Sequence, residues 1–260
     1  MGNIETVLVT GASSGIGLEL ARCFAADKSN LIFVARNGEA LEKLADELRR
    51  RHGVKVEVIV SDLARRESPQ QVFDRVGKLG LVVVVLVNNA GFGLIGTFGE
   101  LPVGRQLEMV QVNIASLVEL TGLFLPGMLS RRSGGILNVG SVAGFVPGPN
   151  MAVYFATKAF VLSFSEALFE ELRGTGVTIT NLCPGPTESN FFQVARQHRE
   201  REKSSGKMTS LEVAVTGHRD FRRGKCLSIP GFGNVVITKM APHLPRAIIR
   251  KAVAKLNQLK

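Results

Sequence analysis

The chain has 260 residues, 45% of them hydrophobic, which is enough to bury a sizeable core as one large domain and argues against wholesale disorder. Three cysteines without a CxxC pair and four scattered histidines argue against a disulfide framework and against a structural metal. The formal net charge of +10 is unevenly placed: residues 1–189 hold 17 Lys and Arg against 18 Asp and Glu, whereas residues 190–260 hold 15 against 4, so the field that attracts anions is carboxy-terminal.

Taken in chain order, short β-branched runs alternate with helical segments. TVLVT (6–10) is followed by GLELARCFAAD, NLIFVA (30–35) by EALEKLADELRRR, and then come VKVEVIV (54–60), LVVVVLV (81–87), GILNVG (135–140) and VTITNL (177–182). Strands apolar at nearly every position, spaced by amphipathic helices, predict a parallel sheet buried on both faces. The fold class is therefore α/β, a doubly wound parallel (Rossmann-like) sheet of about seven strands, with helices on both faces and all of residues 1–260 in one domain. Right-handed crossovers bring every strand's carboxyl end to one edge, where ligands bind. After the sixth strand a polar stretch reads as a substrate lid over about 186–224, with a last short strand near KCLSIP (225–230).

The tail, about 240–260, is a basic amphipathic helix with Ile249, Ala252, Val253, Leu256 and Leu259 at helical spacing among Arg250, Lys251 and Lys255. It suits packing on its own domain or a second subunit, or peripheral contact with a membrane surface. No unbroken apolar run approaches the ~20 residues of a span and no secretory signal is visible, so a cytoplasmic location is expected. No nucleic-acid-binding motif accompanies the positive charge.

At the first strand-to-helix turn stands TGASSGIG (10–17). Gly11, Gly15 and Gly17 let the backbone approach a pyrophosphate, while Ser13, Ser14 and Ile16 carry the turn into a helix whose N–H groups face the anion. At the end of the second strand, where an acid would hold a ribose 2′-hydroxyl, the chain places Arg36. A guanidinium suits a 2′-phosphate, so NADP(H) is favoured over NAD(H). Asp62 and Leu63, ending the third strand, reach the adenine side; Asp62 could equally cap the next helix. Asn88 and Asn89 follow a wholly apolar strand and are expected to bond neighbouring backbone.

Tyr154 is the chain's one tyrosine beside fifteen phenylalanines, which suggests that its hydroxyl is wanted. Lys158 lies four residues on, one helical turn away. A close ammonium moves a phenol's pKa down toward the working pH.

These motifs, with NNAG (88–91), Asn113 in VQVNI, Ser141 in NVGSVAG, YFATK (154–158) and PGPTES (184–189), resemble the short-chain dehydrogenase/reductase family over nearly the whole chain. The resemblance implies an NAD(P)(H)-dependent oxidoreductase with an Asn113-Ser141-Tyr154-Lys158 tetrad. In it Tyr154 exchanges the proton, Ser141 orients the carbonyl oxygen, Lys158 also holds the nicotinamide ribose, and Asn113 holds a relay water. It further implies that Asn89, Ala90, Gly91, Pro184, Gly185, Thr187 and Ser189 flank the cofactor, and that the protein is a homodimer or homotetramer.

Phe92, Leu94, Phe145, Met151, Phe191 and Phe192 predict an apolar pocket suited to a hydrophobic ketone or aldehyde and its alcohol. A catalytically idle NADP(H)-binding sensor or scaffold is the competing reading. A Ser-His-Asp hydrolase is disfavoured because GSVAG lacks the spacing of a nucleophile elbow. Cys183 reads as a small buried hydrophobe.

Overall fold

A computed structural model describes residues 4–188 and 207–257. The expected strands form, in order, β1 (Thr6–Thr10), β2 (Asn30–Ala35), β3 (Val56–Val60), β4 (Val85–Asn88), β5 (Gly134–Val139) and β6 (Val177–Leu182). Two two-residue strands, β7 (Thr187–Glu188) and β8 (Met208–Thr209), pair with each other, and β9 (Leu227–Ser228) closes the main sheet. All seven strands of that sheet run parallel in the order β3-β2-β1-β4-β5-β6-β9.

Side chains alternate across each strand, and both faces are covered. Val7, Val9, Leu31, Phe33, Val87 and Leu137 pack on one side under α1 (Gly15–Ala26) and α2 (Gly38–His52). Leu8, Ile32, Leu86 and Ile136 pack on the other under α3 (Ser68–Lys78) and α5 (Ser116–Arg131). This two-sided burial explains why the strands read as continuous apolar runs. The run at 81–87 is paired only from Val85, because the neighbouring strand begins at Thr6, whose carbonyl accepts from Val84 N.

Helix α4 (Val103–Val110) runs through a π-helical turn, Gln111–Ala115, into α5, and α6 (Ala152–Glu171) lies beside it. Val103–Arg131 and α6 are each long and apolar enough to cross a bilayer by length and composition. Both lie against the fold instead and bring Asn113, Tyr154 and Lys158 to buried positions.

Within the sheet's last crossover, between β6 and β9, α7 (Ser210–Arg222) opens on a capping box, with Thr209 and Glu212 exchanging bonds, and buries Val213, Ala214 and Phe221 against α1. The expected lid over 186–224 is therefore too long at its carboxyl side. The apolar stripe of residues 210–222 makes that part a body helix. Two further helices, α8 (Phe232–Met240) and α9 (Arg246–Leu256), lie over the carboxyl edge of the sheet.

Candidate active site

The turn after β1 is shaped by its neighbours. Gly11 and Gly15 have φ of +67° and +59°, a region that side chains disfavour. Gly17 is held closer still, since a Cβ there would stand 2.3 Å from Asn89 Nδ2 and 2.4 Å from the Gly11 carbonyl oxygen. Asn89 Nδ2 donates to the carbonyls of Thr10 (2.9 Å) and Gly11 (3.1 Å), and its N–H and that of Ala90 donate to Thr10 Oγ1 at 3.0 Å. Asn89 thus clamps the turn as well as facing the cleft. Gly17, expected to touch a cofactor, lies behind the cleft because that close packing takes its space. Asn88 departs from the expected backbone pairing: its amide donates to Thr121 Oγ1 and Asn138 Oδ1 inside the core. Helix α1 starts after Ser14 without a side-chain cap, leaving the N–H groups of its first turn to a ligand.

From this turn one cavity of about 1190 Å³ runs along the sheet edge. At one end it is lined by Arg36, Asp62 and Leu63, and by Arg65, which the sequence reading passed over. Asp62 Oδ1 accepts from Ala64 N at 3.1 Å and holds the turn after β3; it does not cap the next helix, α3, whose N-cap is Glu67. Ser13, Ser14, Ile16, Asn89, Ala90, Gly91, Pro184, Gly185 and Thr187 line the middle. A dinucleotide fits this donor set: glycine turn and uncapped helix for the pyrophosphate, guanidiniums at one end, Tyr154 and Lys158 at the other.

The π turn sets Asn113 between two elements. Its Oδ1 accepts from Phe92 N (3.1 Å), and its Nδ2 donates to Phe92 O (3.0 Å) and Thr157 Oγ1 (3.1 Å), while Thr157 donates to Tyr154 O at 2.7 Å. Asn113 is buried behind Gly91 and does not itself line the cavity. Ser141 caps the short turn Val142–Phe145 by accepting from Ala143 N, and its hydroxyl hydrogen-bonds with Tyr154. Lys158 Nζ donates to Val139 O at 2.8 Å and stands 5.9 Å from the centre of the Tyr154 ring.

Burial raises the Tyr154 phenol to about 12, with the Ser141 hydrogen bond pulling the other way. Burial also lowers the Lys158 ammonium to about 8. The downward shift expected of the phenol beside Lys158 is therefore not what this structure shows, because burial dominates. Cys183 is fully buried and its thiol is pushed up to about 12, which fits the inert reading.

A family model described as short chain dehydrogenase matches residues 5–200. The chain belongs to the short chain dehydrogenase family. It is 37% identical over 195 residues to a very-long-chain 3-oxoacyl-CoA reductase of Anas platyrhynchos, covering 73% of this chain and 62% of that protein. It is 39% identical over 192 residues to sulfoacetaldehyde reductase 2 of Chromohalobacter salexigens, covering 73% and 75%. A solved short-chain dehydrogenase from Sphingobium yanoikuyae in complex with NADPH superimposes with a TM-score of 0.84 at 29% identity, covering 99% of this chain and 97% of that one.

The far end of the cavity corrects the expected substrate wall of this dehydrogenase. Phe92 and Met151 line it as expected. Leu94 does not, since it packs beneath with Met109 and Tyr154 in a small satellite core. Phe145 also lies off the wall, because the turn after Ser141 presents Ala143 and Val146 there instead. Ser189, Phe191 and Phe192 lie outside the described residues.

Ile237 of α8 and Val253, Leu256 and Asn257 of α9 and its end supply the remaining wall. Asn257 Nδ2 donates to Pro149 O at 3.0 Å, and Asn150 Nδ2 donates to Asn257 O at 3.1 Å, which fastens the tail over the site. Val253 and Leu256 were visible in the sequence as members of a helical stripe. The surface that stripe meets was not encoded locally.

Proposed function

We propose that this dehydrogenase works as an NADPH-dependent reductase of a hydrophobic ketone or aldehyde, oxidising the corresponding alcohol in reverse. The cofactor, when bound, supplies the hydride that reaches the carbonyl carbon. Tyr154 gives its phenolic proton to the carbonyl oxygen, so that C=O becomes CH–OH. The phenol is protonated at neutral pH, the form that reduction consumes, but burial makes it a weaker acid, so release of its proton depends on the groups around it. The Ser141 hydroxyl beside it steadies the same oxygen, and Lys158, held near 8, still carries its charge at neutrality to stabilise the phenolate left behind. Asn113 positions the helix that carries Tyr154 and Lys158 through Thr157.

The observation that carries the reading is the composition of this cleft: Tyr154 and Ser141 meet in an apolar chamber walled by Phe92, Val142, Met151, Phe155, Ile237 and Val253. Of the charged residues along the same cavity, Arg105 and Glu108 neutralise each other through their ion pair, and Lys207 lines it as well. The relatives' names differ in substrate polarity, one a long acyl thioester and the other a sulfonated aldehyde, so the chamber lining decides the proposal. Two guanidiniums, Arg36 and Arg65, support the phosphorylated cofactor, as does the NADPH named for the Sphingobium structure. Exposed Leu107 on α4 and Phe160 on α6, the latter stacked on Phe164, suit pairing of two copies through these helices in a cytoplasmic homo-oligomer.

Oxidation of NADPH and NADH against alkyl ketones, aryl aldehydes, ketoacyl thioesters and sulfoacetaldehyde tests the reading. Faster turnover of apolar carbonyls with NADPH is expected. Preference for the sulfonate, or equal use of both cofactors, would overturn it.

A further inference from the structure

The helices that wall the substrate chamber have a second, outward face. Of the seventeen large hydrophobic residues exposed among the described residues, seven lie within Phe232–Leu256. On α8 the outward positions Phe232, Val236 and Met240 fall one helical turn apart, with Phe232 85% exposed. On α9 Ile248, Ala252 and Leu256 make the matching stripe, with Leu256 83% exposed, beside the half-buried Ile249, Val253 and Asn257 that face the body.

Next to this stripe stand Lys251 and Lys255, with Lys239, Arg246 and Arg250 nearby. From Phe232 to the end of the chain there are six Lys and Arg and no Asp or Glu. Exposed apolar side chains beside positive charges that form no ion pair among the described residues match the boundary between anionic headgroups and acyl chains.

We infer that α8 and α9 form a docking surface for an anionic lipid membrane. The two helices insert their apolar stripes shallowly, and Lys239, Lys251 and Lys255 meet the headgroups. Ile237 and Leu256 belong at once to this surface and to the chamber wall, so docking sets the chamber mouth against the bilayer. An apolar carbonyl dissolved in lipid then reaches Tyr154 along a path lined by hydrocarbon. A second copy of the chain could cover the same stripes. Its own identical face carries the same excess of positive charge, so stacking the two faces repels, and an acidic surface is the better complement.

The test is sedimentation of the full chain with vesicles of phosphatidylcholine alone and with one quarter phosphatidylglycerol, in low and high salt, with light scattering on the protein alone. Binding to the anionic vesicles, weakened by salt, is expected. Lys251→Glu with Lys255→Glu should cut the partition coefficient at least tenfold, as should Phe232→Ser with Ile248→Ser. All four positions are outward-facing, and circular dichroism checks that the variants fold. Failure of the wild type to bind, equal binding to both vesicles, or an oligomer dispersed by Phe232→Ser with Ile248→Ser would overturn the inference, the last assigning the face to a subunit contact. Because vesicle binding involves no turnover, such a failure leaves the reductase reading intact.

Discussion

The two ends of the chain use their apolar residues in opposite ways. From Thr6 to Leu182 the strands hide them on both faces of the sheet, and charge is nearly balanced. From Phe232 to Leu256 the helices expose much of their apolar surface, charge is one-sided, and α9 has no fully buried residue. The first region builds a cofactor cleft from backbone turns and buried amides. The second leans on that cleft through a few half-buried side chains and shapes what may enter beside the nicotinamide position. On the function proposed above, chemistry belongs to the first region and substrate choice to the second.

Loss of the proton donor breaks the comparison most severely. Tyr154→Phe is expected to cut NADPH-linked carbonyl reduction by roughly 10²- to 10⁴-fold while leaving cofactor binding in place, as read by NADPH fluorescence. Gly17→Ala strikes the clamp rather than the chemistry. With Asn89 Nδ2 and the Gly11 carbonyl less than 2.5 Å from the new Cβ, it should cost about 1–3 kcal/mol of stability in urea melts and weaken NADPH and NADH alike. Arg36→Ala is expected to weaken NADPH binding about tenfold and leave NADH unchanged, because only the phosphate loses a charged donor. Equal weakening of both would move the phosphate contact elsewhere.

The smallest effect is a pH dependence. Burial holds Lys158 near 8 in the folded chain, against 10.5 for the free group. Between those values the unfolded chain binds the proton and the folded chain does not, so this group raises stability as pH climbs from about 8 to 10.5. Below pH 8 both states are protonated and its contribution is flat. The difference in melting temperature between wild type and Lys158→Met should therefore shift in favour of the wild type from pH 8 to pH 10. A constant difference would mean that Lys158 is not desolvated.

Much of this was legible in the sequence, for physical reasons that differ by region. Two-sided burial wrote the strands as unbroken apolar runs, and the turn glycines, Arg36 and Ser141 stand at or just past strand ends that the topology must bring together, with Tyr154 and Lys158 one turn apart on the helix after β5. The raised pKa of Tyr154 was not legible, because spacing along a helix shows which groups are near and says nothing of how much solvent they lose. Leu94 and Phe145 illustrate the same gap: hydrophobicity placed them near the site, while packing turned them off its wall. Helix α7 was misread as lid because its stripe is short and interrupted by polar residues. The wall made by Ile237, Val253 and Asn257 depends on contacts with residues about a hundred positions earlier, and no local pattern records those.

The division of labour between the two regions is tested most directly by Val253→Asp, with the dissociation constant of NADPH and the kcat/KM for a long-chain ketone measured on the same preparation. A carboxylate in the apolar wall should lower kcat/KM for the apolar substrate at least tenfold and leave NADPH affinity within about twofold. An unchanged kcat/KM, or a loss that falls mainly on NADPH binding, would contradict the assignment of cofactor to one region and substrate to the other.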